Sequence, residues 1–185
     1  MKRSILACLV LLALAPAAAD AKSRGMFMNG DSLAVGTQPY FPSVLPRWSI
    51  QTSASISRHA FEGPGVLRTV GRLPRVIAVS LGTNDDPRNT SAFRAAIRGM
   101  MAVVGPKRCV VWATVKRPPV AGATYGEYNR ILREEAKARP NLEVVRWAQL
   151  AAQNPQWFGG DGVHPDATGY RARAAAYAEK IRRCP

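Results

Sequence analysis

The regular alternation of short apolar runs with longer amphipathic segments is the feature that most constrains this chain. Five runs read as strands: residues 26–29, 49–56, 76–81, 109–115 and 142–147. They are short and mostly apolar, as strands buried on both faces are. Between them lie segments with helical spacing. In 90–104, Phe93, Ile97, Met100, Met101 and Val104 recur at helical intervals, behind a Thr90 or Ser91 cap and before Gly105-Pro106. In 124–140, Thr124 with Glu127 three residues on has the pattern of a capping box, and Pro140 ends the segment. The segment that starts near Asp166 ends in basic residues, which suit a helix C-terminus. Residues 62–73 read as a shorter helix broken by glycine. This order predicts an α/β fold, a five-stranded parallel sheet with helices on both faces. A chain of 185 residues is long enough for one such domain with a real core.

In open parallel sheets, ligands bind outside the carboxyl ends of the strands. The loops there hold the aspartates. Past residue 21 these are Asp31, Asp85, Asp86, Asp161 and Asp166, each in a loop after a strand or just before the last helix. Three of these loops carry chemistry. In "NGDSL", 29–33, Gly30 allows a tight turn or an unusual φ, and Ser32 stands at the start of the next helix, where backbone N–H groups point outward. Taken alone, Asp31-Ser32 reads first as an ordinary helix cap. In "SLGTNDDP", 80–87, Asn84 carries an amide that can donate to a developing oxyanion without bringing charge; alone, it reads as a turn. In "GGDGVHPDATGY", 159–170, Asp161 and His164 lie three apart in a glycine-rich turn. There a carboxylate can orient an imidazole and leave its Nε2 as a base. The other histidine, His59, reads as a surface or packing residue.

Each stretch is weak and the set is specific. Gly30-Asp31-Ser32-Leu33, Gly82-Thr83-Asn84-Asp85 and Asp161-Gly162-Val163-His164 follow one another in an order that resembles the SGNH hydrolase superfamily, the GDSL esterases and lipases. The resemblance implies a flavodoxin-like α/β/α fold. It implies attack by Ser32 on an ester carbonyl, His164 as base and then acid, Asp161 as its orienter, and an oxyanion hole made by Asn84 and the Ser32 backbone N–H. It implies no metal and no organic cofactor. The family adds a glycine after the second strand, and Ser57 stands at that place here; any residue but proline offers a backbone N–H, so Ser57 remains a candidate donor. The region 110–119 and the segments after it are similar, more loosely, to extracellular SGNH domains of bacterial cell-wall O-acetyltransferases. Tyr40, Phe41, Trp157 and Phe158 flank the motifs and are candidates to line an acyl or sugar pocket.

The first residues read as a targeting segment. Lys2-Arg3, the apolar run 5–15 and the small residues after it have the pattern of a secretory signal peptide, with cleavage after Ala21 or Ala19. The domain then spans 22–185, without a membrane anchor, outside the cytoplasm. Of three cysteines, Cys8 leaves with the signal, and Cys109 and Cys184 remain to pair in an oxidising compartment. Cleavage after Ala21 leaves 24 basic and 11 acidic residues, net +13. The basic residues are scattered, with no run interleaved with aromatics, so no specific nucleic-acid target is expected. Weak attraction to an anionic cell envelope is. The substrate expected is a small acyl ester or an O-acylated carbohydrate. Two other readings stay open: a catalytically silent wall-binding module, and an O-acetyltransferase, lipase or thioesterase built on the same site.

Overall fold

A computed structural model describes residues 24–185; the segment whose sequence reads as a signal peptide lies outside them. Five strands form one sheet: β1 (Arg24–Gly30), β2 (Trp48–Ala54), β3 (Val76–Ser80), β4 (Cys109–Ala113) and β5 (Leu142–Val145). Every pairing is parallel, and the order is β2-β1-β3-β4-β5. The predicted sheet is therefore present.

The helices are α1 (Ser32–Thr37), α2 (Phe41–Val44), α3 (Gly63–Arg68), α4 (Thr90–Val104), α5 (Gly126–Lys137), α6 (Trp147–Ala152) and α7 (Ala167–Arg183). Right-handed crossovers dictate their faces. From β1 the chain steps one way, to β2, with α1 and α2. It then returns past β1 and steps the other way through β3, β4 and β5, with α3, α4 and α5. Steps in opposite directions put their helices on opposite faces. The core divides accordingly. Phe27, Ile77, Val79, Val110 and Trp112 face Leu67, Phe93, Ile97 and Ile131 on one side. Their alternates Met26, Met28, Ala78 and Val111 face Phe41, Trp147, Tyr177 and Ile181 on the other, where α6 and α7 complete the layer.

Several local expectations shift. β2 is an edge strand with no fully buried residue, whereas a buried strand over 49–56 was expected; it has a hydrogen-bonded neighbour on one side only. The cap of α4 is Asn89, one residue before Thr90, with its side-chain oxygen accepting from the Ala92 N–H. The capping box at Thr124 and Glu127 does not form. Tyr125 is buried there and donates its hydroxyl to the carbonyls of Thr83 and Asp85, which moves the helix start, and Glu127 turns to Arg130. The short helix α3 follows a 3-10 turn at Ala60–Glu62 and ends at Arg68, short of residue 73. The fifth strand stops at Val145, and Trp147 opens α6 instead. The cap at Asp166 is as expected, accepting from the Gly169 N–H at 2.8 Å.

Cys109 and Cys184 form a disulfide. It ties the start of β4 to the residue after α7, across 75 positions of sequence. A cross-link over so long a loop removes much freedom from the unfolded chain. The paired replacement Cys109→Ala with Cys184→Ala is expected to lower the unfolding free energy by about 2–4 kcal/mol, read from urea denaturation curves. Coincident curves for the two proteins would refute it.

Candidate active site

The sheet order reverses between β1 and β3, because the chain leaves them in opposite directions. Their carboxyl ends therefore diverge into a crevice, the usual ligand position in such sheets. Gly30 ends β1 there, beside Ser80 of β3 and Ala54 of β2. Its role is room rather than an unusual φ. A Cβ on Gly30 would stand 2.2 Å from the Ala34 Cβ and 3.1 Å from Ser80. Only glycine lets α1 start this close to the sheet.

Asp31 caps α1 and is fully buried. One carboxylate oxygen accepts from the Leu33 N–H at 3.0 Å and from the Ser80 hydroxyl at 3.1 Å. The Asp31 carbonyl takes the N–H groups of Ala34 and Val35. Ser32 is thus left at the helix start with its own N–H unused by the described hydrogen bonds. Its hydroxyl meets His164 Nε2 at 2.8 Å, across 132 positions of sequence.

The His164 turn is pre-shaped by its own backbone. One oxygen of Asp161 accepts from the N–H groups of Val163 (2.8 Å) and His164 (3.0 Å), and the other sits 2.6 Å from His164 Nδ1. With Nδ1 protonated toward Asp161, Nε2 has a lone pair to accept the Ser32 proton. Gly162 sits at φ 62°, a left-handed conformation that makes the turn. Lys116, from the loop after β4, reaches across to the Gly162 carbonyl and stands 3.7 Å above the Phe158 ring. The hydrogen bonds to His164 and to two backbone N–H groups hold Asp161 well below the usual carboxylate range.

That depression fixes a sign. A carboxylate whose folded pKa lies below its unfolded value stabilises the fold above the unfolded value and loses that contribution as pH falls toward the folded one. The gap in Tm between wild type and Asp161→Asn is therefore expected to be present at about pH 5 and to narrow as pH drops below the ordinary Asp value of about 3.9. Thermal scans across that range check it, and a gap that widens toward acid would refute it.

Asn84 follows β3 and shares a cleft of about 310 Å³ with Asp161 and His164. Its amide donates one N–H to the Arg58 carbonyl at 3.2 Å, which joins the loop after β3 to the loop after β2. In that second loop Ser57 has φ 63°, a left-handed conformation that glycine adopts more easily. No described hydrogen bond links Ser57 to Ser32, Asn84 or His164. Asp85 anchors the same loop by accepting from the Ala60 N–H at 3.0 Å, and burial pushes its pKa up. His59 faces Asp85 at 3.5 Å and stacks on Phe61.

The flanking aromatics sit outside the lining of this cleft. Phe41 is fully buried and meets Tyr177 edge-on, so it is core. Trp157 stacks on Trp147, and Phe158 packs against the same ring. Tyr40 lies half-buried under Arg171. None of them lines the cleft, whose walls come from Arg117, Pro118, Pro119, Val120 and Val163 beside the motif residues. Arg117, Lys116 and the buried Arg173 were not singled out in the sequence, where they read as scattered surface charge.

Solved structures of like fold include the C-terminal catalytic domain of Streptococcus pneumoniae peptidoglycan O-acetyltransferase A (OatA), captured with a methylsulfonyl adduct. It is 21% identical, with a TM-score of 0.70, over 88% of this chain and 92% of that one. A GDSL-like lipase from Bacteroides thetaiotaomicron is 18% identical with a TM-score of 0.70, over 89% and 90% of the two chains. Among curated proteins, the O-acetyltransferase OatA of Staphylococcus aureus is 23% identical over 159 residues, 83% of this chain. The match spans only 24% of that protein's length. The GDSL-like lipase/acylhydrolase family matches residues 29–172, well over half of the sequence and all three motif loops. The chain belongs to the GDSL-like lipase/acylhydrolase family.

Proposed function

We propose that this protein is an exported acyl-transfer enzyme in which Ser32 is the nucleophile for a small acyl ester. The observation that carries this reading is the unbroken run of contacts from the Ser32 hydroxyl through His164 to Asp161. The Ser32 oxygen attacks the ester carbonyl carbon as its proton passes to His164 Nε2. Asp161 steadies the imidazolium that forms. The Ser32 N–H, the second N–H of the Asn84 amide and the Ser57 N–H are the donors offered to the oxyanion. The C–O bond to the alcohol then breaks, and His164 returns the proton to the leaving oxygen. An acceptor hydroxyl attacks the acyl-serine by the same steps in reverse.

With water as acceptor, the site is an esterase. With a sugar hydroxyl it is an O-acetyltransferase, and the likeness to OatA domains favours keeping that second reading. Export is supported by the N-terminal pattern and by the disulfide, which suits an oxidising compartment. Among the described residues no helix is long and apolar enough to cross a membrane. The deciding experiment treats the purified protein with a fluorophosphonate and maps the adduct. It then follows acetate release and acetyl transfer to chitooligosaccharides from 4-nitrophenyl acetate. An adduct on Ser32 with acetyl turnover supports the reading. No adduct and no turnover would replace it with a silent wall-binding module.

A further inference from the structure

The charges around the cleft narrow the substrate class. Arg117 lies in the loop after β4 and is half-buried. One of its N–H groups donates to the Thr83 carbonyl at 2.7 Å. Thr83 precedes Asn84, so the guanidinium is pinned to the wall that carries the amide, and it lines the same cleft as His164. A guanidinium offers five N–H groups in one plane; Arg117 gives one to the Thr83 carbonyl, and the Tyr125 hydroxyl stands beside it as a second polar contact.

The surrounding carboxylates have other partners. Asp161 is held by His164, and the Lys116 ammonium stands near it. Asp86 takes Arg88, and Asp85 takes the Ala60 N–H and faces His59. The described ion pairs leave Arg117 without a carboxylate, as they leave most of the arginines; among those, Arg117 is the one that lines the cleft with His164. Beside Arg117 the cleft wall is Pro118, Pro119 and Val120. A half-buried, pre-positioned fork with an open partner position beside the reacting groups fits a carboxylate, which it can hold in two parallel bonds.

We propose that this cleft selects esters that carry a carboxylate, and that Arg117 binds it. The proposal rests on the acyl-transfer reading of Ser32 and deepens it. The carboxylate sits on either the alcohol part of the substrate, as in an O-acetylated sugar acid, or the acyl part, as in a hemisuccinate. Arg117 touches that group rather than the reacting carbonyl, so it determines specificity.

The test uses two matched pairs, each with an anionic and a neutral member: O-acetylated glucuronic acid against O-acetylated glucuronamide, and 4-nitrophenyl hemisuccinate against 4-nitrophenyl butyrate. Acyl release is measured for wild type, Arg117→Gln and Arg117→Lys. Wild type is expected to favour the anionic member of at least one pair by about tenfold in kcat/KM, the scale of one charged hydrogen-bonded contact. That preference should vanish in Arg117→Gln, survive in part in Arg117→Lys, and shrink with added salt. Which pair responds identifies the part that bears the charge. Equal handling of both members in both pairs overturns the proposal alone, as does a preference that persists in Arg117→Gln. Absence of any turnover or Ser32 adduct in wild type overturns the acyl-transfer reading, and this proposal with it. If Arg117→Gln does not fold, inhibition of wild type by free glucuronate but not glucuronamide replaces the variant, and equal inhibition counts against the proposal.

Discussion

Ser32→Ala is expected to lower kcat for acetyl-ester hydrolysis by about 10⁴-fold or more, the range seen when the nucleophile of a serine hydrolase is removed, with Tm unchanged. Two features separate the chemistry from the fold here. The helix cap is made by Asp31, not Ser32, so the first turn of α1 keeps its partners. The Ser32 hydroxyl has one described contact, His164 Nε2. Deleting it removes the atom proposed to attack and little packing. His164→Ala should cost a comparable factor. The double variant should be hardly worse than either single one, because the two groups act as a unit. Initial rates with 4-nitrophenyl acetate beside calorimetric melting check both halves. Turnover by Ser32→Ala at the wild-type rate would remove Ser32 as nucleophile. Lost activity with a lowered Tm would mean the residue matters to folding instead.

Much of this site is legible in the sequence, because its parts are local. Asp161 and His164 are joined across one short turn, and Asp31 caps the helix that follows it. The parallel sheet is legible too, since β3 and β4 are buried along their whole lengths and read as continuous apolar runs. The edge strand β2 escapes that reading, because burial on one side depends on which strands become neighbours, and no residue in 48–54 encodes it alone. Gly30 was expected to matter, but for its torsion. The structure shows a close approach of Ala34 instead, a contact that exists only once α1 has packed. The helix α6 has six residues, too few to show a period. Arg117 and Arg173 were hidden in plain charge. A basic residue before Pro-Pro, or on a helix that also carries Arg171, Lys180, Arg182 and Arg183, looks solvated until the tertiary fold places it.

Arg173→Met is expected to lower stability by about 3–5 kcal/mol, the cost of leaving a buried charge without its partner. Arg173 lies on α7 and is 2% exposed; Asp31 is wholly buried. They meet through hydroxyls. One Arg173 N–H donates to Ser80 Oγ at 2.9 Å, and Ser80 in turn donates to Asp31 at 3.1 Å. Another donates to Thr37 Oγ1 at 3.0 Å, whose own proton goes to the Leu33 carbonyl. The rings of Trp147 and Tyr177 lie 5.3 and 5.1 Å from the guanidinium carbon. Burial pushes the Asp31 pKa up, and the Arg173 charge is the largest influence pulling it back. Methionine fills similar apolar space but returns no charge, so Asp31 should become still harder to ionise. The sign follows from proton binding. A carboxyl with a folded pKa above its unfolded value binds more protons when native, so stability falls as pH rises between the two values. Arg173→Met should therefore regain part of its loss in mild acid, and adding Asp31→Asn should recover much of it at neutral pH. Urea titrations of the single and double variants at two pH values decide the matter. Additive losses with no pH dependence would mean that Arg173 acts by packing on Trp147 and Tyr177 alone. A coupled loss would mean that the start of α1, and with it the position of Ser32, is held by a charge 142 residues beyond Asp31 in the chain.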